Sequence, residues 1–230
     1  QMPAYDISAC LVGSEMCIRD RPLDVWKLPG FANGECSVQD EAAQLAAFLL
    51  CPSPGERILD TCSAPGGKTG HLLELQPRLE VLLALDQDPT RINLVRENLE
   101  RLRMKAHLKV ADATLTQTWW DGIFFDKILV DAPCSARGVI RRHPDIKILR
   151  NSSDIDKLGK NQLKLLSSVW EVLRPGGILL YVTCSVLPEE NDLVIEDFMK
   201  SCCDVRVKSM NYGWGLSLIH ISEPTRQAEI

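Results

Sequence analysis

The sequence predicts an α/β protein built on a doubly wound, mostly parallel sheet. Short continuous apolar runs alternate with segments in which apolar residues recur at helical spacing, the pattern of buried strands separated by amphipathic helices. Most of the apolar runs are followed at once by an aspartate or a cysteine. Parallel strands have their carboxyl ends on one edge of the sheet, so these polar residues are expected to meet there.

The predicted strands are short and rich in aliphatic side chains. Val81–Leu85 is apolar throughout, as expected for a strand that is buried on both faces. The first strands of the series end at Asp60 and Asp86. The predicted set is 57–60, 81–85, 107–110, 128–130 and 178–183, with a sixth strand at 205–207.

Helical spacing of apolar residues fills the intervals between these strands. Ser37 is predicted to cap a first helix over 38–50, which Pro52 and Pro54 end. Pro89 fits the first position of another helix, where its missing N–H costs nothing. The remaining predicted helices cover 68–75, 89–102, 155–173 and 189–200.

Length and composition are ordinary for one globular domain. The chain has 230 residues, of which 45% are hydrophobic and 25% charged. No apolar run has the length of a membrane span. The nine cysteines are odd in number and lack paired metal-ligand spacing, which indicates reduced thiols in a cytoplasmic protein without metal. The net charge of −5 means that any nucleic-acid contact must use a local basic patch.

The two ends of the sequence differ in character from the rest. Residues 1–21 and 213–230 resemble translated adapter sequence of the kind found at the ends of assembled transcripts. We therefore expect both to be non-native tails and set them aside from the fold. The catalytic domain is predicted over 22–212, acting as a monomer, and His220 is not a catalytic candidate.

A small-residue loop after the first strand, Ser63–Gly67, leads into a predicted helix. A strand, a glycine-rich turn and a helix N-terminus in this order form a corner at which backbone N–H groups face a ligand. A phosphate-binding P-loop is excluded, because the position that requires its first glycine is Cys62. A plain structural turn remains the alternative for this stretch taken alone.

The polar residues after the later strands suggest a nucleoside-type ligand. Asp86 is placed to accept hydrogen bonds from ribose hydroxyls, and Asp112 to contact an adenine amino group. The spaced three-glycine fingerprint of dinucleotide folds is missing, which argues against a nicotinamide cofactor. Cys134 and Cys184 follow neighbouring strands. Each is either a small buried apolar residue or a thiol nucleophile.

Three motifs together carry a family resemblance. They are Asp60-Thr-Cys-Ser-Ala-Pro-Gly-Gly-Lys-Thr69, Asp131-Ala-Pro-Cys-Ser135 and Tyr181-Val-Thr-Cys-Ser-Val-Leu-Pro-Glu-Glu-Asn191. In this order they resemble the RNA cytosine-5 methyltransferases of the Nop2/Sun class, over about residues 22–212. The segment Gly138–Lys147 is similar to members that act on bacterial 16S ribosomal RNA.

The resemblance implies a Rossmann-like, class I methyltransferase fold with S-adenosylmethionine as methyl donor. It implies that Cys184 is the nucleophile, that Cys134 assists product release and that 16S ribosomal RNA is the partner. Asp131 is the candidate for stabilising charge on the cytosine. The implied donor-binding residues are Cys62, Ser63, Ala64, Pro65, Gly66, Gly67, Lys68, Asp86, Asp112 and Asp131.

The thiol chemistry is reasonable from first principles. Carbon 5 of cytosine is a poor nucleophile, and addition of a thiolate at carbon 6 makes it reactive. A base must then remove the proton from carbon 5 before the thiolate leaves, and the cytosine must leave its stack to reach the site. A dense basic segment follows the second motif, and its predicted RNA-binding residues are Arg141, Arg142, His143 and Lys147.

Some features depart from the family pattern. Arg137 replaces a small residue, the family's N-terminal helical RNA-binding domain has no counterpart, and the closing antiparallel strands are expected to be cut short near Tyr212. The sequence therefore predicts a catalytic-domain fragment. Methylation of another RNA, such as transfer RNA, and an inactive RNA- or cofactor-binding fragment are the alternatives. Protein and small-molecule methyltransferases are disfavoured, because they require neither thiol.

Overall fold

A computed structural model of the chain describes residues 7–10, 16–19, 24–139, 146–149, 151–208 and 220–224. The described strands are Ile7–Cys10 (β1), Met16–Arg19 (β2), Arg57–Thr61 (β3), Val81–Asp86 (β4), His107–Val110 (β5), Phe125–Asp131 (β6), Leu173–Val182 (β7), Val205–Lys208 (β8) and His220–Pro224 (β9). The described helices are Glu41–Leu50 (α1), Gly67–Leu75 (α2), Pro89–Arg101 (α3), Ile146–Leu149 (α4), Ser152–Trp170 (α5) and Asp192–Ser201 (α6).

Seven of these strands form one sheet, in the order β5-β4-β3-β6-β7-β9-β8. The strands from β5 to β7 pair in parallel, while β9 runs antiparallel to both β7 and β8. Strands β1 and β2 form a separate antiparallel pair. The predicted doubly wound, mostly parallel α/β fold is confirmed.

The closing strands differ from the expectation that they are cut short. Residues 220–224, which the sequence suggested setting aside, form β9 and pair with β7 over Leu179–Tyr181. Strand pairing uses backbone N–H and C=O groups, so an extended segment of almost any sequence can cover the open edge of a strand. Local sequence pattern does not reveal such a partner.

The helix boundaries shift where capping differs from the prediction. Helix α1 begins at Glu41 after Asp40, three residues later than predicted, and Ser37 does not cap it. The Ser37 hydroxyl instead accepts a hydrogen bond from Arg101 Nη2 of α3 at 3.3 Å. Helix α5 begins earlier than predicted, because Asn151 and Asp154 form a reciprocal capping box.

Apolar side chains of the central strands alternate between two cores. Leu59, Ile128 and Leu179 pack on the face that α5 and α6 cover. Their chain neighbours Ile58, Leu129 and Leu180 pack on the face that α1 and α2 cover. This two-sided burial explains why the strands read as continuous apolar runs. Among the described residues, no helix is both long and apolar enough to cross a membrane.

Replacing Leu129 with alanine tests the position of β6 at the centre of the sheet. Leu129 is fully buried, so the cavity left behind is expected to lower the free energy of unfolding by about 2–5 kcal/mol. Leu94→Ala on α3 is the matched control. Leu94 is 46% exposed, and its truncation is expected to change stability by less than about 0.5 kcal/mol. Urea denaturation measures both, and equal losses would contradict the placement.

Candidate active site

The parallel register brings the predicted strand-end residues to one edge of the sheet. Asp60 of β3 lies opposite Leu129 of β6, and Asp131 at the end of β6 lies opposite Val182 of β7. The ladder continues one step further, because the Ala132 N–H donates to the Val182 carbonyl at 2.9 Å. The loops that follow β3, β6 and β7 therefore leave the sheet side by side.

The loop after β3 is held by hydrogen bonds from its backbone N–H groups to β4. The Ser63 N–H donates to the Leu85 carbonyl at 2.9 Å, and the Ala64 N–H to the Asp86 carboxylate at 3.4 Å. Gly66 precedes α2 with φ at +96°, and a Cβ there would lie 3.1 Å from the backbone of Val95. Glycine is thus required both for the left-handed conformation and for the close approach of α3.

A cavity of about 270 Å³ opens beside this loop. Three of the predicted cofactor residues line it: Cys62, Asp86 and Asp112. Its remaining walls include polar side chains from α3 and α5 that sequence reasoning missed, among them Arg91, Asn161 and Gln162. The outward polar positions of α5 resemble an ordinary exposed helix face in the sequence, so no local pattern identifies them.

The other predicted cofactor residues lie around the cavity rather than on its lining. Ser63 is buried, and its hydroxyl has no hydrogen-bond partner among the described residues. Ala64 packs against α3. Pro65 and Gly67 line a second cavity, of about 350 Å³, whose other walls come from α2, α3 and residues 25–39.

Lys68 points toward the end of β6 and pairs with Asp131, with Nζ and Oδ2 2.7 Å apart. The two side chains are 16% and 29% exposed, so the charges lie in a partly dehydrated place where an ion pair is stronger than on an open surface. The structure therefore joins two predicted cofactor residues directly to each other, close to the thiols.

The two candidate catalytic thiols meet at the end of β7. The Sγ atoms of Cys134 and Cys184 are 3.1 Å apart, and the Cys184 N–H donates to the Cys134 sulfur at 3.3 Å. The loop that carries Cys134 is tied down further along, because the Gly138 N–H donates to the Cys184 carbonyl at 2.9 Å. Both cysteines are free thiols.

This contact separates the acidities of the two thiols. The hydrogen bond from Cys134 lowers the pKa of Cys184 to about 7, with help from the Lys68 charge and against burial and the Asp131 carboxylate. The same hydrogen bond and burial raise the pKa of Cys134. Thiolate is the reactive form of cysteine, so Cys184 is the more nucleophilic member of the pair.

Two further titratable groups, Cys62 and Asp60, lie near this edge of the sheet. Burial raises the pKa of Cys62 to about 12, with a further contribution from the Asp86 charge, so Cys62 stays a neutral thiol. Burial also raises the pKa of Asp60 to about 7, against a hydrogen bond from the Thr69 hydroxyl at 2.6 Å. Asp60 Oδ1 has no hydrogen-bond partner among the described residues.

The predicted RNA-binding segment is largely outside the described residues. This holds for Arg141, Arg142 and His143, while the backbone of Lys147 belongs to α4. The described start of the segment is the short 3-10 helix Arg137–Val139, immediately after the Cys134 loop. The RNA-binding assignment therefore stays a prediction.

Comparison with known proteins gives consistent matches. The family model described as 16S rRNA methyltransferase RsmB/F matches residues 47–223. A Pseudomonas syringae pv. tomato protein named ribosomal RNA small subunit methyltransferase B is 56% identical over 194 residues, 84% of this chain and 43% of that protein. A Vibrio cholerae protein of the same name is 53% identical over 192 residues, 84% of this chain and 44% of that protein. The chain thus spans less than half the length of these curated relatives.

Solved structures agree with the fold. A methyltransferase homolog protein from Pyrococcus horikoshii is 31% identical with a TM-score of 0.75, covering 90% of this chain and 73% of that chain. The structure of NSun6 from Pyrococcus horikoshii with SFG is 25% identical with a TM-score of 0.81, covering 94% of this chain and 60% of that chain. These likenesses agree with the predicted Rossmann-like methyltransferase fold.

Alkylation of Cys184 by iodoacetamide should follow a pH profile with its midpoint near 7, since only the thiolate reacts. In Cys134→Ala the hydrogen bond is lost, and the midpoint is expected to rise toward the ordinary value of 9.0. Mass spectrometry of the Cys184 peptide gives the rates. Cys203→Ser, at an exposed position, is the matched control and should leave the profile unchanged. An unchanged midpoint in Cys134→Ala would contradict the proposed origin of the acidity.

Asp60→Asn tests the buried carboxyl. With its pKa raised from 3.8 to about 7, native Asp60 keeps a proton that the unfolded chain releases between those values. The wild-type free energy of unfolding should therefore fall with rising pH through this window, by up to about 4 kcal/mol relative to Asp60→Asn. Asparagine keeps an acceptor for Thr69. Urea denaturation at several pH values measures the difference, and parallel profiles for the two proteins would refute the assignment.

Proposed function

Because the chain belongs to the 16S rRNA methyltransferase RsmB/F family, we propose that it transfers a methyl group from S-adenosylmethionine to carbon 5 of a cytosine in 16S ribosomal RNA. The observation that carries the proposal is the pair of free thiols 3.1 Å apart at the end of β7, beside the Lys68–Asp131 ion pair. Methyl transfer to an oxygen or to an amino group requires no cysteine pair, whereas addition to a pyrimidine ring uses a thiol nucleophile.

The lining of the 270 Å³ cavity suits the methyl donor. Carboxylates of Asp86 and Asp112 are acceptors for ribose hydroxyls and for an adenine amino group, and Leu85 and Leu165 supply apolar wall for a flat ring. Pro133, next to Cys134 in the chain, also lines the cavity, so the donor site and the thiols share one loop. When bound there, S-adenosylmethionine supplies an electrophilic methyl group.

The two thiols have different roles in the reaction with the cytosine. The Cys184 sulfur forms a bond to carbon 6 of the cytosine, and the electron pair displaced from the double bond makes carbon 5 nucleophilic. Asp131 lies close enough to the thiols for its charge to act on Cys184 in the free protein. We assign to Asp131, when protonated or sharing a proton with the base, the stabilisation of negative charge developing at ring nitrogen 3.

Release of the product requires a base. Once Cys184 is bound to carbon 6, the hydrogen bond between the sulfurs is lost and Cys134 gives up its own proton to solvent. After methylation Cys134 accepts the proton from carbon 5, the ring double bond re-forms and the bond to Cys184 breaks. Cys184 leaves as a thiolate and Cys134 is again a thiol, so one proton is released for each methyl group transferred.

The proposed RNA contacts come from the basic segment after the Cys134 loop, and the proposed compartment from the reactivity of the thiol. Arg141, Arg142, His143 and Lys147 come directly after the Cys134 loop in the chain and are assigned to phosphate contacts beside the target base. A thiolate nucleophile must stay reduced, which is consistent with action in the cytoplasm.

A covalent adduct tests the function. Cys134→Ser, incubated with S-adenosylmethionine and a 16S ribosomal RNA transcript, is expected to accumulate a protein–RNA adduct on denaturing gels, because the base that releases Cys184 is missing. Cys184→Ser should form no adduct and transfer methyl groups at least about 100-fold more slowly than wild type. Cys203→Ser is the control with unchanged transfer.

Three results would overturn the proposal. An adduct that survives Cys184→Ser would refute the nucleophile. Faster methylation of a transfer RNA transcript than of the 16S transcript would refute the substrate. Folded protein that binds S-adenosylmethionine and methylates neither transcript would refute the activity of this chain.

A further inference from the structure

A fully buried carboxylate lies beneath the two thiols and has no part in the steps above. Glu190 ends the short 3-10 helix Pro188–Glu190, which leads into α6. Its Oε1 accepts from the Ser135 N–H at 2.7 Å and from Gln162 Nε2 at 3.4 Å. Its Oε2 accepts from the hydroxyls of Ser135 and Ser185, each at 2.5 Å. Every partner is a donor, which suits a carboxylate.

The two serines connect this carboxylate to the thiols. Ser135 follows Cys134 directly, and Ser185 follows Cys184, so one side chain bonds to loops that lie 50 residues apart in the sequence. The bond from the Ser135 N–H fixes the peptide unit that joins Cys134 to Ser135. A shift of Glu190 would therefore displace both loops.

The segment that carries Glu190 is itself held to β7. Tyr181 donates its hydroxyl to the Glu190 carbonyl at 2.7 Å. The Asn191 side chain donates to the Ser185 and Leu187 carbonyls at 3.1 Å and 2.8 Å, and accepts from the Thr183 hydroxyl at 2.8 Å. Glu190 is thus a fixed anchor rather than a mobile side chain.

Burying a carboxylate is costly unless hydrogen bonds replace the water it loses. Among the described residues, no ion pair includes Glu190, so the cost is offset by its four hydrogen bonds alone. Apolar residues of similar volume would pack this position at less cost. Retaining a charge here is explained if its bonds fix a geometry that apolar packing would leave loose.

We propose that Glu190 is a positioning residue that bonds the Cys134–Ser135 and Cys184–Ser185 segments into one unit and thereby holds the two thiols in hydrogen-bonding contact. The proposal rests on the proposed function for the roles of the thiols. Both carboxylate oxygens are occupied by protein donors, so Glu190 acts through the cysteines and not on the RNA or the methyl donor. Gln162, which also lines the cavity and donates to the Pro133 carbonyl at 2.9 Å, extends the unit to the donor site.

The test measures alkylation of Cys184 by iodoacetamide near neutral pH, which needs neither RNA nor methyl transfer. Glu190→Gln provides one acceptor oxygen instead of two, so the contact between the thiols should loosen and the rate should fall at least about fivefold, as Cys184 loses part of the hydrogen bond that acidifies it. Glu189→Gln, at the exposed neighbouring position, is the matched control and should react at the wild-type rate.

The same measurement in the Cys134→Ala variant distinguishes a positioning role of Glu190 from a general loosening of the structure. In Cys134→Ala the hydrogen bond to Cys184 is already missing, so adding Glu190→Gln should change the rate by less than about twofold. A comparable fall in both backgrounds, or no fall in either, would overturn the proposal. If Glu190→Gln fails to fold or to bind S-adenosylmethionine, Ser135→Ala and Ser185→Ala take its place, each expected to slow alkylation with the same dependence on Cys134.

The two proposals fail separately. Coupled alkylation in a protein that methylates no RNA would leave the positioning role intact and refute the function. Normal methyl transfer with unchanged alkylation in Glu190→Gln would support the function and refute the positioning role.

Discussion

The site depends on the parallel pairing of β6 with β7. This register places Asp131 opposite Val182, and one further backbone bond, from Ala132 to Val182, carries the alignment past the end of the strands. The segments after β6 and β7 therefore leave the sheet from neighbouring positions, which places the Cys134 loop beside the end of β7. A slip of one residue in this register would turn each side chain to the opposite face and separate the thiols.

At this edge of the sheet, burial, nearby charges and hydrogen bonds shift the pKa values of the thiols in opposing directions. Burial is the main cause of the raised pKa of Cys62, and the charges of Asp86, Asp131 and Asp60 add to it. Cys184 is in range of Asp131 and yet becomes more acidic, because a hydrogen bond from the neighbouring thiol and the charge of Lys68 outweigh the carboxylate and burial. The contact between the sulfurs is therefore the feature that distinguishes the two otherwise similar cysteines.

Much of this arrangement could be predicted from local sequence. The strand-end aspartates and cysteines stand out because parallel topology gives the end of an apolar run a definite place in space. Glu190 belongs to the third motif, but its role could not be predicted from the sequence, since it arises from contacts with distant loops. Gln162 could not be found at all, because it looks like an ordinary polar residue of a helix. The prediction that Ser37 caps α1 was wrong for a similar reason, because the Ser37 hydroxyl accepts a hydrogen bond from Arg101 instead. Residues 220–224 pair with β7 along the backbone, and local sequence pattern does not predict this pairing.

The 3.1 Å between the sulfurs also has a steric meaning. Atoms in van der Waals contact with a flat ring lie about 3.5 Å from its plane on each side, so a ring sandwiched between two atoms needs roughly twice that gap. A pyrimidine therefore cannot slide between Cys134 and Cys184 as they stand. In the proposed reaction the base would have to approach Cys184 from its solvent-exposed side or push the sulfurs apart.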